Sequence, residues 1–527
     1  MDENKNVPTQ DELDACSTMQ DKFKLKPPEL FYELNERGLA KLFSEATHPY
    51  LRFNTTQKLW MYYNGNRWEE DTSGVLSSRL MKNFTFELLT YAVNVVGTSN
   101  ENFLELVQSL GTAAKRKSLL KDSVDHNTVS DNDFDTNNYL LNCKNGTFNL
   151  MTMQLQPHNA DDMITKIIRA EYNPNADTSI ISKFMMDIFS NDKELVDYMY
   201  RILGYSLSGI CKEECLFIFL GETTRNGKST LLNTFSYLLG ESNGYSKSVD
   251  VATLGQKKSK NASSPSSDIA RLKGSRFVVA SEPTPDFIFD EGRIKAFTGQ
   301  DIITARMLYK NDIEFRPTFK LFIGSNHLPS IIDDSILESR RLRIIPFSRH
   351  FGIDEQDKGL KERLKQQDVL NALLLQCIEG FRSYMKYGLA EPQAVINATA
   401  QYQTQGQLIE IFFDSQLEKN DSGIIPLARF YPKYVGWCAE NGFQPLTREK
   451  VNNHLRRVGK YKATATIDGR TIRNILTGYQ FPSEQAEPNP TDNSVPFMPP
   501  PQDNHIDQET SEKPIATSKK ICNDDLF

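Results

Sequence analysis

Four short apolar runs in the middle of the chain predict the strands of a buried parallel sheet. Each has the length of a strand and lacks the polar alternation of a strand with one face in water. The runs lie within residues 215–220, 276–282, 319–327 and 339–347. Leucines and a phenylalanine then recur at helical spacing from Leu231 to Leu239, and Gly240 is a typical helix stop. This alternation of strands and helices predicts an α/β domain.

Smaller elements are expected before this region. Two Asn-Gly dipeptides between apolar-rich flanks predict β-hairpins over 60–68 and 139–150. Helical spacing is present around 84–95 and again over 181–207, directly before the first strand of the sheet. We therefore expect a mostly helical α+β domain ahead of the α/β domain.

The chain after the sheet shows a different pattern. Helical segments cover about 359–387, and two further helices are expected through 434–439 and over 448–458. Strand-like runs at 461–467 and 471–476 follow, joined by a turn at Asp468-Gly469. Helices followed by a basic hairpin resemble a winged helix, so we expect a winged-helix-like module here.

These patterns predict five parts of the chain. Residues 1–45 and 481–527 are polar and are expected to be largely disordered. Between them we expect an amino-terminal α+β domain at 46–180, the α/β domain at 181–400 and the winged-helix-like module at 408–480.

The net charge of −7 is unusual for a nucleic-acid-binding protein, but the charge is distributed unevenly along the chain. Residues 428–473 carry ten Lys/Arg against three Asp/Glu, whereas 481–527 carry three against nine. A basic module of net charge +7 is thus hidden by an acidic tail, and such a module is typical of nucleic-acid binding.

Other features exclude some classes of protein. No apolar run reaches the roughly 18 to 20 residues that a membrane-spanning helix needs, and residues 1–5 lack a signal-peptide pattern. We therefore expect no membrane partner. The 7 cysteines are scattered, as in a reducing compartment. Cys211 and Cys215 are the only close pair, and we interpret them as core residues because no second ligand pair follows at zinc-site spacing.

The strongest chemical motif is the glycine-rich segment between the first strand and its helix. Backbone N–H groups of such a loop and the helix amino terminus bind phosphates. Here five residues separate Gly221 from Gly227 where the usual spacing is four, so we expect phosphate binding with an altered first turn. Lys228 would reach the β- and γ-phosphates and the Ser229 hydroxyl would bind Mg²⁺. The predicted nucleotide-binding residues are Gly221, Asn226, Gly227, Lys228, Ser229 and Thr230.

Polar residues at the ends of the later strands complete an ATPase pattern. Glu282 follows the second strand, where an acid can bind Mg²⁺ through water or polarise the attacking water; which of the two it does is open, and Asp286 could assist. Asn326 follows the third strand and can orient water against the γ-phosphate. Arg340 and Arg341 precede the fourth, where arginine can neutralise charge on the transferred phosphate.

Two further segments have both an ordinary and a functional interpretation. Residues 305–316 predict a hairpin with Lys310 at its tip, either a solvated turn or, in a ring, a group that grips phosphates in the pore. The basic, Ser-rich segment 256–267 is either a solvated loop or a DNA contact.

Together these motifs resemble the superfamily 3 helicases of the phage/plasmid primase and poxvirus helicase-primase group. Five motifs occur in order: Asn226–Thr230, Arg276–Glu282, Phe297–Asp301 with Arg306, Phe319–Pro329 and Arg340–Phe347. Residues 142–176 also resemble the domain that precedes the motor in that group, and the likeness covers roughly residues 50 to 480.

The resemblance implies a P-loop AAA+-like core in a ring, usually a hexamer, that hydrolyses ATP with Mg²⁺ between subunits while pore hairpins pull single-stranded DNA. It implies catalytic roles for Glu282, Asn326 and Arg341, with Arg340 as the alternate, and metal binding by Ser229 and Glu282. The expected partners are single-stranded and duplex DNA, further copies of the chain and a separate primase or polymerase. The expected location is the host cytoplasm, if a phage or plasmid encodes the chain. The predicted DNA-binding residues are Lys310, Arg456, Arg457, Lys460 and Lys462.

The leading hypothesis is thus an ATP-dependent DNA helicase that replicates a phage, plasmid or related mobile element. An ATP-controlled initiator that recognises an origin is the alternative, and a packaging or defence ATPase is a third interpretation. A primase active site needs paired acids at strand ends; the acid cluster at 131–135 lies in a polar segment, so we interpret it as a loop and expect no primer synthesis by this chain alone.

Overall fold

The computed structural model of the protein describes residues 35–93, 101–221, 223–256, 266–284, 287–306, 312–328, 340–443, 445–467 and 470–482. The fold is mixed α/β, with a five-stranded parallel sheet, helices and four smaller sheets. Several predictions lie outside the described residues: the hairpin tip with Lys310, Asp286, the turn at 468–469, most of the segment 256–267, residues 1–34 and the tail from 483.

The amino-terminal elements form a small α+β unit. Its sheet has the order β3-β2-β1-β4, and Phe43 packs against Phe84 in the core between the helices. Residues 36–45, within the segment expected to be largely disordered, belong to its first helix. The elements are α1 (Glu36–Thr47), β1 (Leu51–Asn54), β2 (Leu59–Tyr63), β3 (Trp68–Glu70), α2 (Val75–Tyr91), α3 (Glu101–Ser109), α4 (Ala113–Asp122) and β4 (Thr128–Val129).

Both predicted hairpins are confirmed. Strands β2 and β3 pair antiparallel around the turn that contains Asn64-Gly65. The second hairpin joins β5 (Leu140–Cys143) to β6 (Gly146–Asn149), and β7 (Gln154–Gln156) adds a third strand. Its turn is one residue earlier than the Asn-Gly pair suggests, because Gly146 already belongs to β6.

The predicted helical run over 181–207 is two helices, α5 (Ser179–Ile188) and α6 (Lys193–Tyr205). The break has a local cause. Ser190 and Asn191 both have positive φ, at 52° and 64°, and neither continues a right-handed helix. The side chain of Asp192 then accepts a hydrogen bond from the Leu195 N–H and caps α6.

The central sheet contains all four predicted strands and one more. Every neighbouring pair is parallel, in the order β14-β8-β13-β10-β9. The unpredicted strand is β9, at one edge. The elements are β8 (Leu216–Leu220), α7 (Lys228–Leu239), β9 (Ser246–Val249), β10 (Phe277–Ala280), β13 (Lys320–Ser325) and β14 (Leu342–Pro346).

Both faces of this sheet are covered, which explains the continuous apolar runs. Phe217 and Phe219 of β8 point into a core shared with α5, α6 and α7. Leu216 and Ile218 point into a second core on the opposite face. The alternate residues of one strand thus reach two different hydrophobic clusters.

Short elements surround the sheet. The predicted hairpin is confirmed as β11 and β12, whose strands pair antiparallel on either side of the undescribed tip. Helix α11 packs along α6. The elements are α8 (Ser267–Ala270), α9 (Glu291–Thr298), β11 (Ile303–Arg306), β12 (Asp312–Phe315), α10 (Leu360–Arg363), α11 (Gln367–Tyr387) and α12 (Gln393–Gln416).

The carboxy-terminal elements begin on α12. Thr399 accepts a hydrogen bond from the Ile344 N–H of β14, whereas Phe412 and Phe413 belong to the separate core of the last elements. The sheet there has the order β15-β17-β16, antiparallel throughout. These elements are β15 (Glu418–Pro426), α13 (Leu427–Glu440), α14 (Arg448–Arg457), β16 (Tyr461–Ile467) and β17 (Arg470–Gln480).

Candidate active site

The glycine-rich segment lies where the sequence pattern predicts, between β8 and α7. Gly221 needs to be glycine, because a Cβ there would lie 2.0 Å from Asn226 Nδ2. Gly227 has φ of +87°, and its Cβ would lie 2.4 Å from Ile188. The additional residue is accommodated in a tight loop in which Arg225 also has positive φ, at 62°, and Asn226 Nδ2 donates to Thr223 O at 2.6 Å.

Lys228, the first residue of α7, points back across the loop. Its Nζ donates to Gly221 O at 3.0 Å and to Asn326 Oδ1 at 2.8 Å, and the residue is only 6% exposed. Burial lowers the pKa of this ammonium, and the carboxylate of Glu282 acts in the opposite direction. Ser229 and Thr230 follow on α7, where Ser229 is exposed and Thr230 is half-buried.

Glu282 and Asn326 come together at the carboxyl edge of the sheet. Glu282 follows β10 and Asn326 follows β13, which are neighbouring parallel strands. Glu282 Oε1 accepts a hydrogen bond from the Asn326 N–H at 2.9 Å. The ammonium, the amide and the carboxylate therefore form one chain of contacts, Lys228–Asn326–Glu282. A single charge-assisted network links the ends of three strands.

A contact that the sequence pattern did not predict holds the loop from the other side. The chain leaving β14 passes the glycine-rich segment, where His350 Nδ1 lies 2.8 Å from Thr224 O and the Phe351 N–H donates to Arg225 O at 2.9 Å. Neither residue belongs to a recognisable motif, so nothing in the sequence indicated this contact.

The two candidate arginines lie at the opposite edge of the sheet. Arg341 comes immediately before β14, whose first residue pairs with Leu216 at the start of β8. The length of β8, about 16 Å at 3.3 Å per residue, separates that end from the glycine-rich segment. Arg341 donates to Thr298 Oγ1 and to Glu214 Oε2, both at 2.9 Å. Arg340 is exposed. Neither arginine is brought to Lys228 of its own chain.

The predicted DNA-binding residues of the last module lie around α14 and β16. Arg456 is exposed, and its guanidinium lies 4.6 Å from the ring centroid of Tyr461. Lys460 is half-buried and Lys462 is exposed. Arg457 ends α14, and its side chain lies outside the described part of the structure, as does all of Lys310.

Among the described residues, no helix combines the length and the apolar character needed to cross a membrane. The acid cluster at 131–135 is a loop, as predicted, and is tied to its surroundings. Asp131 accepts from the side-chain amides of Asn54 and Gln57, and Asp135 binds Thr165 and Lys166.

Two family models match the chain. Residues 38–190 match the family described as D5 N terminal like, and residues 219–341 match a family of unknown function, DUF5906. The second match begins near the end of β8 and ends at Arg341, so it spans the Lys228–Asn326–Glu282 network.

The chain is also similar to viral proteins named "Putative helicase". It is 27% identical to the L207/L206 protein of Acanthamoeba polyphaga mimivirus, over 84% of this chain and 51% of the relative. It is 27% identical to the 022R protein of Frog virus 3, over 51% of this chain and 28% of the relative. A Sputnik virophage protein, V13, is 22% identical over 44% of this chain and 33% of its own length. The chain thus spans about half the length of the mimivirus relative and less of the others.

Among solved structures, the apo structure of the NrS-1 C terminal region (305-718) is 14% identical, with a TM-score of 0.41, and covers 85% of this chain and 100% of that one. A likeness at this TM-score is too weak to define the fold. The family matches and the named viral relatives confirm the resemblance of the chain to the D5-like group of superfamily 3 helicases.

Proposed function

We propose that this chain is the ATP-hydrolysing motor of a ring-forming DNA helicase that serves the replication of a mobile or viral genome. The observation that carries the proposal is the network Lys228–Asn326–Glu282, which joins a phosphate-binding lysine, a polar strand end and a carboxylate at the carboxyl edge of a parallel sheet. Ligands of open α/β sheets bind at this edge. The viral helicase names support the same class of function.

The residues at this edge of the sheet fit a nucleoside triphosphate with Mg²⁺. The first N–H groups of α7 have no partner within their helix and can donate hydrogen bonds to phosphate oxygens. Lys228 is already dehydrated and held at the loop, so it can exchange its two neutral oxygen partners for phosphate oxygens. Bound Mg²⁺ would neutralise phosphate charge, with Ser229 and Glu282 as its protein ligands. Glu282 could alternatively polarise the attacking water.

Arg341 suits a role on a neighbouring subunit. It lies at the amino edge of the sheet, about one strand length from Lys228, so it cannot contact a nucleotide bound by its own chain. A ring places such an edge against the next subunit's nucleotide. In that arrangement Arg341 must exchange Glu214 and Thr298 for phosphate oxygens.

The last module supports a contact with duplex DNA. The helix and strand order α12-β15-α13-α14-β16-β17, with the sheet order β15-β17-β16, supports the proposal of a winged-helix module, in which the last helix would enter a groove and the hairpin would form the wing. Arg456, Lys460 and Lys462 lie on that helix and hairpin. The net charge of +7 over 428–473 favours phosphate binding.

The same module gives a second candidate function, an initiator that recognises one origin sequence and uses ATP only to control assembly. The two functions differ in what stimulates hydrolysis. We expect any single-stranded oligonucleotide to accelerate ATP hydrolysis by the full chain, and a truncation after Gln407 to retain that acceleration while losing duplex binding. Acceleration by only one duplex sequence would instead support the initiator, and absence of ATP hydrolysis under all conditions would exclude both.

A further inference from the structure

A cleft of about 680 Å³ lies between the amino-terminal unit and the central sheet. It lies at the amino edge of the sheet, where β9 and β10 begin and β12 ends, and therefore far from Lys228. Six cationic side chains line it. They are Arg67 and Lys166 before the sheet, and Lys247, Arg271, Lys273 and Arg316 within the sheet region.

Most of the carboxylates that line the cleft already bind neighbouring side chains. Glu69 pairs with Arg67, and Asp135 Oδ2 lies 3.0 Å from Lys166 Nζ. Asp131 accepts hydrogen bonds from two amide side chains, at 2.7 and 2.8 Å. The remaining lining carboxylate, Glu70, is exposed. The acids therefore do not neutralise the cations of the sheet side.

The four cations of the sheet side have only neutral acceptors among the described residues. Lys247 donates to the carbonyls of Glu241 and Ser242, at 2.6 and 2.8 Å. Lys273 donates to Asn132 Oδ1 at 3.0 Å. Arg271 and Arg316 donate to the carbonyls of Ser248 and Gln300. Carbonyl and amide oxygens orient these groups without carrying a negative charge themselves.

These charges are close enough to repel one another. Burial lowers the pKa of Lys247, Lys166 and Arg271 lower it further, and the carboxylate of Glu241 acts in the opposite direction. Lys166 reaches the cleft because Gly274 has no side chain: a Cβ there would lie 3.1 Å from its Nζ. Like charges gathered in a partly buried cleft destabilise the folded chain unless an anion binds among them.

We propose that this cleft binds the phosphate backbone of a single-stranded nucleic acid. The choice of occupant rests on continuity with the hairpin, since Ile313 and Phe315 of β12 and the adjoining Arg316 form part of the cleft wall. In the proposed function the tip of this hairpin contacts the single-stranded nucleic acid. The nucleic acid would then also pass the base of the same hairpin, which lines the cleft. The proposal therefore rests on the proposed function and adds a second contact on the same strand.

The test is the salt dependence of oligonucleotide binding by the full chain. The double variant Lys247→Gln/Arg271→Gln removes two phosphate contacts, and each contact to a single strand contributes about 0.7 to the slope of log K against log salt. The slope should fall by about 1.4, equally for oligo-dT and oligo-U because their backbones carry the same charge. The pair Lys273→Gln/Arg316→Gln provides an independent second variant.

The control is Lys117→Gln/Lys121→Gln, which removes the same charge from exposed positions of α4 and should keep the wild-type slope. Basal ATP hydrolysis should be unchanged in every variant. Wild-type slopes in both cleft variants would overturn the proposal. A lower melting temperature with an unchanged slope would also overturn it, since the cations would then only hold the two units together. If the wild-type chain binds no single strand, the proposed function fails as well.

Discussion

At the residue scale, the contact between Lys228 and Asn326 links the glycine-rich segment to the end of β13. In this state the Asn326 side chain holds the lysine, and its backbone N–H holds Glu282. A side chain that orients a reacting water acts mainly in the transition state, so its loss should affect turnover more than binding.

We therefore expect Asn326→Ala to lower kcat for ATP hydrolysis by about 10²- to 10³-fold, as for the loss of one positioned donor. Nucleotide affinity should change far less. Steady-state kinetics together with equilibrium binding of a fluorescent ATP analogue measure both. Lost nucleotide binding with normal kcat at saturation would assign Asn326 to nucleotide binding rather than to water positioning.

A second residue-scale feature is a buried cation at the amino end of β13. Lys320 is 2% exposed, its Nζ donates to Ser208 O at 2.5 Å, and the ammonium lies 4.4 Å from the Tyr205 ring centroid. Burial lowers the pKa of Lys320 to about 7; Cys211 raises it and Arg276 lowers it. The unfolded chain therefore binds more protons than the folded chain between about pH 7 and 10.

Lys320 therefore makes the folded state more stable, relative to the unfolded state, as the pH rises from about 7 to about 10. The reason is that the unfolded chain loses, over this range, the proton that the folded chain has already released. Lys320→Met should flatten this rise. Urea midpoints at pH 7, 8 and 9 test it, with the exposed Lys361→Met as the control. Equal pH dependence in wild type and Lys320→Met would show that Lys320 stays charged in the fold.

At the element scale, the sequence predicted those elements whose pattern reflects their own burial. The four predicted strands of the central sheet are apolar runs because both of its faces are covered. Strand β9 was missed because, of Ser246–Val249, only Val249 is apolar. Strand β15 was missed for a similar reason, since Glu418–Ser422 is polar and its pairing with β17 contains an irregularity.

In the candidate site, too, only the features that depend on local sequence patterns were predictable. Lys228, Asn326 and Glu282 each follow a recognisable strand, and parallel strands bring their ends together. The fixed separation of Arg341 from that edge depends on the pairing of β14 with β8, which no local pattern contains. The cationic cleft was likewise invisible, because its residues are spread from Arg67 to Arg316.

The hairpin formed by β11 and β12 carries an element-scale prediction. If its tip contacts single-stranded DNA in a ring, Lys310→Ala should keep basal ATP hydrolysis but lose both unwinding and the stimulation by single strands. Lys310→Arg retains the charge and should retain most activity. Unwinding by Lys310→Ala at the wild-type rate would mean that Lys310 is only a solvated turn residue.

At the scale of the whole molecule, the two edges of the sheet have different partners. The carboxyl edge holds the Lys228–Asn326–Glu282 network, and the amino edge holds Arg341 and the cationic cleft. If Lys228 binds phosphate and Arg341 is catalytic, as proposed, their places on opposite edges require a second copy of the chain to complete an ATPase site.

This separation predicts complementation. Lys228→Ala and Arg341→Ala should each be inactive alone, yet mixing them should restore part of the turnover, because some interfaces regain both groups. Doubling the concentration of either variant alone controls for mass action. No recovery at any ratio, with co-assembly verified by size and composition, would contradict a role for Arg341 between subunits.

The central claim, an ATP-driven ring that unwinds DNA, is tested most directly by one sample of the full chain with ATP, Mg²⁺ and a forked duplex. Native mass spectrometry gives the number of subunits, and strand separation is then followed in the same sample. We predict a closed oligomer that separates the strands, and no separation by Lys228→Ala in an equally large assembly. A monomer that unwinds, or a ring that hydrolyses ATP without separating the strands, would contradict the account.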